Sequence, residues 1–120
     1  MKPLMTATAA LCLSGTMSFA SSAKDITLIN VFEVPQGQYE AAVDMWVQSR
    51  DFLQTQPGYI STALHKSIGS DAKFQLINIA KWESAEAFQA ASKAMRETSG
   101  IKPVKGLKFT PGLYQVILTD

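Results

Sequence analysis

The chain has 120 residues, of which 47% are apolar, 18% charged and 9% aromatic. This length supports one domain with one hydrophobic core, and the composition argues against a disordered chain or a coiled coil. Eleven basic residues against ten acidic ones give a formal charge of +1. Nucleic-acid-binding proteins usually show a strongly basic face, so the charge balance argues against that class.

The N-terminal segment 1–23 is predicted to be a secretory signal peptide. A lysine at the second position is followed by an apolar stretch over Leu4–Phe19, and small residues precede candidate cleavage points after Ala20 and after Ala23. This is the pattern of an export signal, and the stretch is too short and too polar for a membrane span. We therefore expect residues 24–120 to form an exported domain, periplasmic or secreted, without stable membrane insertion.

The content of nucleophilic and metal-ligating side chains narrows the range of functions. The single cysteine, Cys12, lies in the segment expected to be removed, so the mature chain has neither a disulfide nor a thiol nucleophile. His65 is the single histidine, so a multi-histidine metal centre cannot form within one chain. A Gly-rich phosphate loop and a dinucleotide fingerprint are also absent from the sequence. We therefore predict no metal ion and no bound organic cofactor.

Six predicted elements follow the signal segment, in the order β-α-β-β-α-β. They are a strand over Ile26–Val34, a helix over Gly37–Gln56, a strand over Tyr59–Ser67, a strand over Lys73–Glu83, a helix from the N-cap Ser84 to about Thr98 and a strand over Leu113–Thr119. Residues 57–58 end the first helix, residues 68–71 form a hairpin turn and residues 99–112 form a loop. The order predicts an α+β fold of the ferredoxin-like type, with a four-stranded antiparallel sheet and two helices on one face.

The strands predict a second apolar surface on this sheet. A sheet that helices cover on one face is usually polar on the other. The third strand instead places Leu76 and Ala80 on one face and Ile77 and Ile79 on the opposite face. The first and last strands add further apolar residues on that opposite face: Ile29, Val31, Val116 and Leu118. Because an apolar face of this extent is rarely left uncovered, we expect a twofold homodimer in which two sheets pack face to face.

Asn78 and Trp82 are the leading candidates for function. Four positions apart on a strand, they face the same side about 13 Å apart, at about 3.3 Å per residue. We assign that side to the space between sheet and helices, where an amide without a hydrogen bond costs about 1–3 kcal/mol. Two interpretations stay open on these features alone. Either Asn78 caps a neighbouring loop and Trp82 is a core residue, or both point into a pocket that excludes water.

On these residues the chain resembles the antibiotic biosynthesis monooxygenase family of small dimeric α/β-barrel proteins. The resemblance covers nearly the whole mature chain, and its most specific part is the motif Asn78-x-x-x-Trp82-Glu83-Ser84-x-x-Ala87-Phe88. Weaker matches are Val34-Pro35-Gln36-Gly37, Pro57-Gly58-Tyr59 and Leu64-His65-Lys66-Ser67. Members of this family hydroxylate aromatic polyketides or oxidise quinols with molecular oxygen, without metal or flavin.

The resemblance implies a substrate pocket in each subunit and molecular oxygen as co-substrate. Asn78 and Trp82 match residues assigned to substrate binding or oxyanion stabilisation, and we predict them to be the catalytic pair. The predicted substrate-binding residues are Asn30, Trp46, His65 and Phe88. The predicted substrate is a small aromatic or quinol-like molecule.

Two positions depart from the family's pattern. Phe88 occupies the position at which the hydroxylating members have a tyrosine, so any role of that phenol is lost. The haem-degrading relatives share an asparagine that matches Asn30 and a tryptophan that matches Trp82. They also bind iron through a histidine on the second helix, where this chain has Ser92. This difference argues against haem cleavage by that route.

Several alternatives stay open. His65 is either a structural residue at the dimer face or sheet edge, or a general base near the pocket, since its ordinary pKa is close to neutral. The loop lysines Lys102, Lys105 and Lys108 are either solvated or part of a cover over an acidic or phenolic ligand. The function is either oxidation of an electron-rich aromatic or quinol-like molecule, or non-enzymatic ligand binding or a stress-related role of a dimeric module on the same scaffold.

Overall fold

The computed structural model describes residues 25–120, so the predicted signal peptide lies outside the described residues. The elements are β1 (Ile26–Glu33), α1 (Tyr39–Leu53), β2 (Tyr59–Lys66), β3 (Leu76–Trp82), α2 (Ala85–Thr98) and β4 (Lys108–Tyr114). This order confirms the predicted ferredoxin-like α+β fold. No helix within residues 25–120 combines the length and apolar character needed to cross a membrane.

The four strands form one antiparallel sheet in the order β2-β3-β1-β4. β2 and β3 pair as the predicted hairpin, and β1 lies between β3 and β4. In the β1–β3 register Leu28 lies opposite Ala80, and Asn30 lies opposite Asn78. The two asparagines therefore lie side by side at the centre of the sheet.

The helices cover one face of the sheet because alternate strand residues are apolar and the helices present alanines to them. Along β3 the residues Leu76, Asn78, Ala80 and Trp82 are all buried, whereas the residues between them are half-buried or exposed. Ala42 of α1 and Ala91 of α2 are buried as well. The predicted cap of α2 is confirmed, since the Ser84 hydroxyl accepts a hydrogen bond of 3.0 Å from the Ala87 backbone N–H.

The last strand differs from the prediction. β4 covers Lys108–Tyr114 rather than Leu113–Thr119, and it includes Pro111, which the sequence analysis places in a loop. Proline is compatible with a strand at the edge of a sheet, where its missing N–H removes no internal hydrogen bond, and β4 is an edge strand. Val116 and Leu118 follow the strand and are exposed. The prediction that they belong to the apolar sheet face is therefore wrong.

The sheet face opposite the helices is apolar at its centre, as predicted for β1 and β3. Ile29, Val31 and Ile77 are half-buried there, and Ile79 is 37% exposed. We call these four residues the outer sheet face. A single chain leaves this surface without a covering layer among the described residues.

Candidate functional site

A cavity of about 360 Å³ lies between the helix-covered face of the sheet and the two helices. All six elements and the segment 99–103 after α2 contribute to its lining. The volume and the mainly apolar lining are typical of sites for small organic molecules. Of the three loop lysines, Lys102 lines the cavity, whereas Lys105 and Lys108 do not.

Aromatic rings form one wall of the cavity around Trp82. The Trp82 side chain is 1% exposed and contacts two rings edge to face. The centroid of Tyr59 lies 5.5 Å from it at an interplanar angle of 87°, and the centroid of Phe88 lies 5.6 Å away at 70°. These are favourable geometries for aromatic pairs and hold the indole in one orientation. Trp82 is thus both a core residue and part of the cavity wall.

The floor of the cavity is polar at one place, where Asn78 lies among apolar side chains. Asn78 is 8% exposed, and its Oδ1 accepts a hydrogen bond of 2.7 Å from the hydroxyl of Thr62 on the neighbouring strand. Because this bond occupies the carbonyl side of the amide, the NH₂ group is left as a hydrogen-bond donor toward the cavity. A fixed donor in an apolar environment is the arrangement that stabilises a developing anion.

Asn30 lies next to Asn78 and differs from it in one respect. Its Oδ1 is buried and has no hydrogen-bond partner among the described residues. A buried acceptor without a partner costs about 1–3 kcal/mol. Asn30 also lines the cavity, but this oxygen has almost no accessible surface, so a ligand in the cavity meets Asn30 through its other atoms.

The structure brings most of the predicted site residues together. The residues that line the one cavity are Asn30, Trp46, Asn78, Trp82 and Phe88. They come from β1, α1, β3 and α2, which are distant in sequence. Ser92, which the resemblance to the haem-degrading relatives matches to their iron-binding histidine, also lines the cavity.

His65 does not belong to this group, and its predicted place at the substrate is corrected here. It is exposed and does not line the cavity. Thr62 and Leu64 of β2 face the helices, and successive strand residues point to opposite faces. The side chain of His65 therefore lies on the outer side of the sheet, paired in register with Ile77.

Thr62 and Tyr59 also line the cavity, although the sequence pattern does not predict them there. In a regular strand these two positions, three apart, would face opposite sides. The pairing of β2 with β3 shifts its register between Tyr59 and Ser61, and this irregularity turns both side chains toward the cavity. The only signal in the sequence is that Thr62 alternates with Leu64 on a predicted strand.

Similarity to known proteins supports the family resemblance that the sequence motif indicates. Residues 25–96 match the family model described as antibiotic biosynthesis monooxygenase. Among curated proteins, none matches the chain significantly. A protein from Shewanella loihica PV-4, described as a candidate monooxygenase, is 47% identical in sequence. Its crystal structure has a TM-score of 0.74 and the match covers 80% of this chain and 97% of that chain.

More distant solved structures share the fold. SnoaB, a cofactor-independent oxygenase from Streptomyces nogalater, is 23% identical with a TM-score of 0.60, over 81% of this chain and 97% of that chain. The haem-degrader MhuD from Mycobacterium tuberculosis is 21% identical with a TM-score of 0.61, over 79% of this chain and 98% of that chain. Because the family model spans more than half of the sequence, the chain belongs to the antibiotic biosynthesis monooxygenase family.

Proposed function

We propose that this protein is a cofactor-independent monooxygenase or quinol-oxidising enzyme that uses molecular oxygen to oxidise an electron-rich aromatic or quinol-like small molecule. The observation that carries the proposal is the Asn78 amide, which lies buried at the floor of an apolar cavity with its carbonyl bonded to Thr62. Family membership and the aromatic wall around Trp82 support the same conclusion.

The proposed chemistry needs an anionic form of the substrate. A deprotonated anthrone or quinol transfers one electron to O₂, which gives a substrate radical and superoxide. For an anthrone, recombination forms a C–O bond, and loss of water from the resulting peroxide leaves a carbonyl group. For a quinol, a second electron and the protons pass to the same oxygen molecule, which leaves as hydrogen peroxide.

The protein contributes orientation and electrostatic stabilisation to these steps. Trp82 is held by its two aromatic neighbours and supplies a rigid wall against which a flat substrate ring packs. The Asn78 NH₂ group donates to the substrate oxygen that carries negative charge. Apolar walls keep water from competing for this hydrogen bond.

Haem cleavage is not proposed as the reaction of this chain. Ser92 lines the cavity where the haem-degrading members carry their iron ligand, and its hydroxyl accepts a hydrogen bond of 2.9 Å from Arg96. Within residues 25–120 no histidine or cysteine lines the cavity, and these residues supply the usual imidazole and thiolate ligands of haem iron.

Oxygen uptake by the purified protein tests the proposal, with menadiol and an anthrone as substrates. We expect uptake well above autoxidation, and a loss of about tenfold or more in Asn78→Ala, which corresponds to about 1.4 kcal/mol of barrier. Gln48→Ala removes an amide that does not line the cavity and should leave uptake unchanged. Uptake equal to that of buffer, from correctly folded protein, would contradict catalysis and favour the ligand-binding alternative.

The proposal also includes an exported homodimer as the working form. The signal-peptide pattern of residues 1–23 supports export, and the outer sheet face supports association. N-terminal sequencing of the protein recovered outside the cytoplasm should find the chain to begin at Ser21 or Lys24. A chain that keeps residues 1–23 would contradict export by cleavage of this signal.

A further inference from the structure

Three cationic side chains line the cavity near its opening. Arg50 lies in the last turn of α1, Arg96 in the last turn of α2, and Lys102 in the segment that follows α2. Arg96 and Lys102 are exposed and Arg50 is half-buried, whereas Asn78 at the floor is buried. The charges therefore lie at the solvent side of the cavity. We call these three residues the cationic rim.

Arg96 and Lys102 carry the uncompensated charge of the rim. No aspartate or glutamate within residues 25–120 lines the cavity. Arg96 donates to the neutral Ser92 hydroxyl at 2.9 Å. Glu97, the carboxylate next to Arg96 in sequence, lies 3.2 Å from the ammonium group of Lys93 instead. Two positive charges at one opening thus lack an anionic partner in the part of the chain that the structure describes.

Arg50 has a different environment from the other two members of the rim. Its guanidinium group donates to the Asp51 carboxylate at 3.0 Å and lies 5.4 Å from the centroid of Trp46. An arginine that is paired and stacked in this way forms part of the wall of a site. The anion-binding capacity of the rim therefore rests on Arg96 and Lys102.

The floor and the rim differ in what they can bind. The floor offers an uncharged hydrogen-bond donor at Asn78, which suits the oxygen of a phenolic hydroxyl group. The rim offers positive charge at the opening, which attracts an anion and holds it by charge-assisted hydrogen bonds. A ligand that satisfies both ends is an aromatic ring with a hydroxyl group on one side and an acidic group on the other.

We infer that the substrate is a hydroxylated aromatic carboxylate, whose carboxylate binds Arg96 and Lys102 while its hydroxyl group contacts Asn78. This inference rests on the proposed function, because it names the substrate class of the same cavity. The carboxylate fixes which edge of the ring enters first, so the oxidisable hydroxyl group is delivered to the Asn78 amide.

Calorimetric titration with two matched probes tests the inference without turnover. The probes are 6-hydroxy-2-naphthoate and its methyl ester, which share the ring system, carry the hydroxyl group at the end opposite the carboxylate or ester group, and differ in charge. We expect the acid to bind about tenfold more tightly than the ester. Raising the salt concentration from about 50 to about 500 mM should weaken binding of the acid and leave binding of the ester unchanged.

Neutral variants assign the effect to the rim. Arg96→Gln and Lys102→Gln should each weaken binding of the acid about fivefold, as expected for a partly exposed ion pair, and change the ester less than about twofold. Lys105→Gln is the matched control, because Lys105 lies on the same segment as Lys102 but does not line the cavity.

The outcomes separate this inference from the proposed function. Equal binding of acid and ester would overturn the carboxylate site, and so would an equal loss of affinity for the acid in Lys105→Gln and Lys102→Gln. Neither result would contradict the aromatic site. Binding of neither probe would overturn both, whereas oxygen uptake with menadiol that persists despite weak binding of the acid would overturn only the inference.

Discussion

One hydroxyl group determines what the key amide can do. The Thr62 hydroxyl donates to Asn78 Oδ1 at 2.7 Å, so the Asn78 NH₂ group is left for a ligand. Without that bond the amide would be free to turn its carbonyl toward the cavity, where it would repel an anion. Although Thr62 lines the cavity, its hydroxyl group is engaged by Asn78 and acts on the substrate through that amide, so we regard Thr62 as a positioning residue.

We expect Thr62→Val to lower kcat for quinol oxidation about fivefold to tenfold, with KM changed less than about twofold, because a transition-state interaction is lost. Thr62→Ser keeps the hydroxyl group and should restore most of the rate. The measurement is steady-state oxygen uptake, with circular dichroism to verify the fold. A Thr62→Val enzyme with the wild-type kcat would contradict the positioning role.

The two asparagines should affect stability in opposite directions. Asn30→Leu removes a buried acceptor without a partner and should raise the free energy of unfolding by about 1 kcal/mol. Asn78→Leu leaves the Thr62 hydroxyl unpaired and should lower it by about 1–3 kcal/mol. Urea denaturation measures both, and a loss of stability in Asn30→Leu would show that its oxygen is satisfied in the folded protein.

Site residues are predictable from sequence where the strands are regular. β1 and β3 alternate without interruption, so the alternation places Asn78 and Trp82 on one face, and the family motif singles them out. The pairing of β2 with β3 is irregular near Tyr59, and no residue pattern predicts this irregularity. It changes which side chains of β2 line the cavity. The choice between the two interpretations of His65 has a different origin, because alternation alone does not say which face of β2 meets the helices.

At the scale of elements, Gly58 lies where the start of β2, the end of β3 and the first turn of α2 meet. Its φ of +88° is unfavourable for other residues, and a β-carbon at this position would overlap the Ala87 side chain in the first turn of α2. Its carbonyl also accepts a hydrogen bond of 2.8 Å from the Glu83 N–H at the end of β3. Close approach of these three elements therefore requires glycine.

We expect Gly58→Ala to lower the free energy of unfolding by about 2–4 kcal/mol, from backbone strain together with overpacking. Gly37→Ala is the matched control, since Gly37 has a similar φ of +84° but open space around it. Gly37→Ala should lower the free energy of unfolding by about 1–2 kcal/mol, from backbone strain alone. Equal losses in the two variants, measured by urea denaturation, would show that the Ala87 contact is unimportant.

The misplaced end of β4 shows what limits prediction of elements. Residues 113–119 have the composition of a strand, yet β4 ends at Tyr114, which pairs with Thr27 near the start of β1. Beyond Thr27 the partner strand has one more residue, so the apolar tail has nothing to pair with on this chain. Strand length thus depends on a distant partner as well as on local composition.

At the scale of the whole molecule, the outer sheet face predicts a homodimer. Light scattering should give a mass twice that of one chain, because apolar side chains at the centre of this face gain by burial against a second copy. Ile79→Lys places a charge at that centre and should yield monomers. Ile68→Lys is the control, since Ile68 is fully exposed in a turn away from the sheet. A monomeric wild-type protein would refute the packing argument.

The edges of the sheet decide what kind of assembly this face can make. An unprotected edge strand invites another strand to add to it, and repeated addition leads to fibres. Here β2 carries a register irregularity next to Ser61 and β4 carries Pro111, so neither edge offers an unbroken row of backbone donors and acceptors. Growth of an extended sheet is thereby disfavoured at both ends. In the predicted homodimer, association through the face closes after two copies, so an apolar sheet exposed before assembly would not lead to polymers.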